Sequence, residues 1–153
     1  MIRAALVLAV ALPMAAPAAA QTRGACADGS LWWSAGSLAG FGPCDAPELG
    51  AVLLSCAAGA VALDAAVPVG AAAGAAAAGT LDVDGRTFAL AGAATAYPGT
   101  GVVGLGGAPL PDAAVDALAA GSRATLALPG ETRSLHLTGS GAAIRAMRAN
   151  CGG

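Results

Sequence analysis

Apolar positions fall in short runs broken by turn residues, and in places they alternate with polar ones, the period-two signature of half-buried strands. In "TLDVDGRTFAL", residues 80–90, Leu81 and Val83 alternate with Asp82. Asp84-Gly85 then supplies the residue pair that a two-residue hairpin demands, and Thr87-Phe88-Ala89-Leu90 returns the chain. "GAVLLSCAAGAVALDAAV", residues 50–67, holds two apolar runs about Ala57-Ala58-Gly59 and predicts two strands joined by a tight turn. "RATLALPGETRSLHLTG", residues 123–139, predicts two more about Pro129-Gly130-Glu131, with Leu126, Leu128, Leu135 and Leu137 on one face and His136 on the other. Residues 99–107 predict a glycine-rich crossing. "GAAAGAAAAG", residues 70–79, is a strand or a loop, because each glycine costs about 1 kcal/mol in a helix.

Two segments change to the helical period. In "LPDAAVDALAAG", residues 110–121, Pro111 and Asp112 suit a first turn, Val115 and Leu118 repeat at three, and Gly121 stops the run. In "GSGAAIRAMRANCGG", residues 139–153, a helix from Gly141 to Asn150 places Ala143, Ile144, Met147 and Cys151 on one face. Arg145 and Arg148 lie opposite, near the negative end of the helix dipole. The fold expected is mainly β with two short helices: a small antiparallel β-sandwich or barrel-like domain with its C-terminal helix docked on the sheet.

The ends of the chain differ in character. "MIRAALVLAVALPMAAPAAA", residues 1–20, has Arg3, an apolar run to Leu12 and a closing Ala18-Ala19-Ala20, the form of a secretory signal peptide cleaved before Gln21. No cysteine stands at that point to carry a lipid. Residues 21–48, rich in Gly, Ser, Pro and Asp, predict a disulfide-stapled, loop-rich stretch with one short strand at 31–35. Residues 49–153 then form a single β-rich domain. An exported chain works in an oxidising compartment, periplasmic or secreted, where cysteines pair.

Cys26, Cys44, Cys56 and Cys151 allow three pairings, and spacing alone does not choose among them. The pairing expected is Cys26–Cys44, around the loop-rich stretch, and Cys56–Cys151, tying the run "AVLLSC" to the inward face of the last helix. A zinc site would want paired C-x-x-C spacing and usually histidine, and with no such pair and His136 the single histidine, disulfides are the expected use. Nothing calls for a cofactor. All seven cations are arginine, which with abundant Ala and Gly is the mark of GC-rich coding. After the signal, six arginines face nine acids, a net charge of −3 that disfavours a nucleic-acid partner. No later segment has the unbroken apolar length of a membrane span.

The candidate chemistry is sparse. Gly139-Ser140-Gly141 between a strand and a helix mimics a hydrolase nucleophile turn, but the motif wants glycine where Thr138 and Ala142 stand. As an N-cap, Ser140 needs only to accept the amide of Ala142 or Ala143. Asp82 and Asp84 lack the further oxygen ligands of a calcium loop. The residues proposed for binding are Trp32 and Trp33, one expected inside and one exposed, together with Arg145 and Arg148.

The pattern L-x-G-S-x-x-A-I with a terminal cysteine, at Leu137, Gly139, Ser140, Ala143, Ile144 and Cys151, resembles small exported envelope proteins of alphaproteobacteria. These are the invasion-associated locus B family and the VasI-like accessory proteins of type VI secretion. The resemblance covers residues 111–151 and implies a β-sandwich domain of the cell envelope. The function expected is non-catalytic binding of a protein or envelope component. Its rivals are a cell-wall hydrolase or hydrolase inhibitor and a purely structural envelope protein.

Overall fold

The alternating runs become strands of one sheet. The computed structural model describes residues 21–152, and the signal-peptide reading of residues 1–20 lies outside them. The strands are β1 (Thr22–Arg23), β2 (Ser30–Ala35), β3 (Leu38–Pro43), β4 (Val52–Ala57), β5 (Ala60–Ala65), β6 (Ala76–Val83), β7 (Arg86–Tyr97), β8 (Val102–Leu110), β9 (Arg123–Leu128) and β10 (Glu131–His136). The helices are α1 (Asp112–Ala120) and α2 (Ser140–Ala149), with a 3₁₀ turn at Pro47–Leu49. Every pairing is antiparallel, in the order β1-β2-β3-β4-β5-β8-β7-β6-β9-β10.

The sheet curls into a half-barrel, as the accumulated strand twist favours. Its two ends meet at a seam of side chains. The Trp32 indole on β2 donates to the His136 carbonyl of β10 at 2.8 Å. The His136 ring sits edge-on to Phe41, centroids 5.0 Å apart, with Nε2 3.2 Å from the Ser30 carbonyl oxygen. Leu54, Leu63, Leu81, Leu90, Leu105, Leu126 and Leu135 are fully buried in the core, and Val115 and Leu118 of α1 and Ile144 and Met147 of α2 join them. Each such burial contributes about 1.5–3 kcal/mol. The predicted apolar face of the last helix is the one that packs, and α2 docks on the sheet.

Two tight turns take the form their sequences predict. Asp84 and Gly85, at φ +49° and +85°, join β6 to β7, and Ala58 and Gly59, at +48° and +82°, join β4 to β5. Positive φ at both central residues is the type I′ geometry that matches strand twist. The disulfides pair Cys26 with Cys44 and Cys56 with Cys151, across Cα separations of 5.7 and 5.1 Å.

Three expectations need correction. Residues 21–48 are not mainly loop: β1, β2 and β3 lie there and continue the same sheet as the rest of the chain. Gly40 is bare because the Trp33 ring lies against it, and Gly42 because the Pro47 and Gly50 backbone does. Residues 102–110 are strand β8 rather than a crossing; the alanine tract, open to strand or loop, is loop up to β6, which begins at Ala76. Ser140 is not an N-cap acceptor. Gly139, at φ +88°, turns the chain so that the Ser140 side chain points inward. Its hydroxyl is the donor there, 2.7 Å from both the Leu118 and Leu137 carbonyl oxygens, and the Ala143 amide bonds Gly139 O instead.

Candidate functional site

Reading straight across four strands on the outer face gives Trp33, Gly40, Leu53 and Asp64, each opposite the next. Because side chains alternate along a strand, Trp32 must take the inner face if Trp33 takes the outer one. Trp32 is fully buried, against Phe41 at 5.6 Å. One of the two was expected to be exposed, yet Trp33 as well is only 7% accessible. The 3₁₀ turn folds over it, and its indole donates to Pro47 O at 2.8 Å.

What stays open beside Trp33 is a groove of about 310 Å³. Trp33, Leu38, Leu53, Ala66 and Tyr97 give it an apolar lining, Pro47 and Glu48 form part of its rim, and Asp64 faces into it. Asp64 reaches this place through a bulge. The β5–β8 register shifts between Leu63 and Ala65, an irregularity that re-aims a side chain. One carboxylate oxygen accepts the Gly107 amide at 3.0 Å. No arginine among the described residues pairs with Asp64 or Glu48; the ion pairs there are Arg133–Glu131 and Arg148 with Asp112 and Asp116. Leu49, next to the rim, is a large apolar side chain left 77% exposed.

Tyr97 closes the far side, its hydroxyl donating to Leu105 O at 2.6 Å. Burial, and then the Asp64 charge, push its pKa from 10.0 up to about 12. The unfolded chain therefore ionises first, so the stability that neutral Tyr97 lends is whole below pH 10 and is lost as pH rises toward 12. The unfolding midpoint of the wild type should fall more steeply across that window than that of Tyr97→Phe. Parallel pH profiles in thermal scans would contradict this.

The other sequence candidates lie elsewhere. Trp32 belongs to the core. Arg145 is exposed on α2, with no ion pair among the described residues, and Arg148 is held by α1, 2.7 Å from Asp116 and 3.8 Å from Asp112. Neither arginine lines the groove. Ser140 and His136 do not form a nucleophile and base: the serine is buried with its hydroxyl bonded to backbone, and the histidine bridges the seam. Asp84 binds the Ser122 and Arg123 amides, tying the β6–β7 turn to β9. Among the described residues, no three His, Cys, Asp or Glu side chains are grouped to hold a metal ion, and no helix is long and apolar enough to cross a membrane. Leu53, Asp64 and Tyr97 escaped the sequence reading, since they come from three strands and no local motif joins them. Comparison with known proteins finds no match among family models, curated proteins or solved structures.

Proposed function

We propose that this chain is an exported, non-catalytic binding domain that docks a segment of a partner protein in the groove beside Trp33. One observation carries the reading: an aromatic, largely apolar groove on the outer face of a sheet whose own core is already filled by the inner face. Apolar surface left open beside an exposed Leu49 is the composition of a docking site. Two disulfides support work outside a reducing cytosol, in keeping with a periplasmic or secreted protein. The serine that most resembles a nucleophile is bonded to carbonyls inside the fold, which favours binding over hydrolysis.

A photo-cross-linking residue in place of Leu53, expressed in the native host, is expected to join the chain to one partner polypeptide. The same residue in place of exposed Ala91 on β7 should not, and Ala66→Arg added to the Leu53 variant should abolish the adduct. Equal labelling from both positions, or none from Leu53, would overturn the proposal.

A further inference from the structure

We infer that the groove selects a basic residue: it receives an arginine or lysine side chain, flanked by apolar neighbours, from an extended segment of the partner. This rests on the docking reading above and adds the charge of what docks. Asp64 and Glu48 bring two carboxylates to an aromatic groove that no cation of its own lines. The fold holds Asp64 there by a backbone amide, one oxygen on Gly107 N, so the anion keeps its position without a positive partner. Desolvating a carboxylate is costly unless an opposite charge arrives with whatever covers it. An apolar segment laid over the groove therefore docks at lower cost when it brings a cation.

The aromatic walls favour the same guest. Trp33 and Tyr97 border the groove, and of the two it is the half-buried Tyr97 ring that is open to a guanidinium or ammonium group, which is attracted to an aromatic face. Tyr97 stays neutral, its hydroxyl donating to Leu105 O, so it offers a ring and an apolar wall. Leu38, Leu53 and Ala66 meet the methylene stem of the basic side chain and the residues beside it. The volume, about 310 Å³, fits side chains of an extended strand rather than a folded element.

Trp33 provides the readout, since Trp32 lies in the core on the other face. The oxidised mature chain is titrated with two peptides, Ac-Ala-Leu-Arg-Leu-Ala-amide and its Glu counterpart, while tryptophan emission is followed. The Arg peptide should bind at least about fivefold tighter, a preference near 1 kcal/mol. That preference should shrink as salt rises from about 0.05 to about 0.5 M. Asp64→Asn keeps an oxygen for the Gly107 amide and should bring the two peptides within about twofold of each other. Glu48→Gln, at an exposed position, should lower the preference without touching the fold. Trp33→Phe should silence the signal. Equal binding of both peptides, tight binding of free arginine amide alone, or binding of neither peptide would each overturn the inference. If the Leu53 cross-link persists in those cases, the docking reading stands; loss of that cross-link counts against the docking reading itself.

Discussion

Replacing Cys56 and Cys151 together by alanine is expected to cost about 4–5 kcal/mol, the larger of the two disulfide losses. The bridge closes a loop of 95 residues, against 18 for Cys26–Cys44. Chain-entropy bookkeeping assigns about 4.7 kcal/mol to a loop near 100 residues and about 3 to one near 15. The long bridge also fastens the end of α2 to β4, so its loss frees the helix that buries Ile144 and Met147. A domain of this size holds roughly 5–15 kcal/mol in total, so the double variant should unfold roughly 10–20 °C lower. Cys26→Ala with Cys44→Ala should fall by less. Urea midpoints of both double variants decide the order, and a larger loss from the short bridge would refute it.

The parts of the fold legible in the sequence are those whose cause is local. Asp84-Gly85 is a two-residue turn because both positions need positive φ, and the flanking Leu81, Val83 and Leu90 supply the apolar positions. The apolar stripe of α2 names its buried face in advance, and that face points Cys151 at Cys56. What misleads is glycine. Gly40, Gly104 and Gly106 read as strand breakers, yet each lies in a strand under a large or close neighbour: the Trp33 ring, the Tyr97 ring and the Thr95 side chain. A sheet that curls this tightly needs bare positions on its surface, and only the tertiary partner explains them.

The groove was illegible for a related reason. Trp33 attracted attention for its chemistry, but Leu53, Asp64 and Tyr97 are unremarkable in their own segments. Lateral register brings Leu53 and Asp64 into line with Trp33, and a bulge opposite Gly106 and Gly107 turns Asp64 toward Tyr97. Register between strands distant in sequence is not written in either strand alone. The arginines of α2, by contrast, follow a clear helical pattern and belong to a surface away from the groove.

The paired tryptophans should separate on substitution, although both are buried. Trp32→Ala is expected to cost about 3–5 kcal/mol, the usual range for deleting a large aromatic from a core. Trp32 has no exposed surface, packs on Phe41 and donates to His136 O across the seam. Its removal takes away both the plug and a bond between the ends of the half-barrel. Trp32→Phe refills part of the volume but leaves that carbonyl without its donor, a loss of about 1–3 kcal/mol. Trp33→Ala should be milder for stability, because its ring lies on the outer face over Gly40 and its indole only ties down the Pro47 turn. It should instead abolish cross-linking from Leu53. Amide exchange at Leu135 and His136 should quicken in Trp32→Ala and stay slow in Trp33→Ala, since only the first loosens β10. Equal urea midpoints for the two alanine variants, or faster exchange of β10 in Trp33→Ala, would mean that the seam is not held in this way.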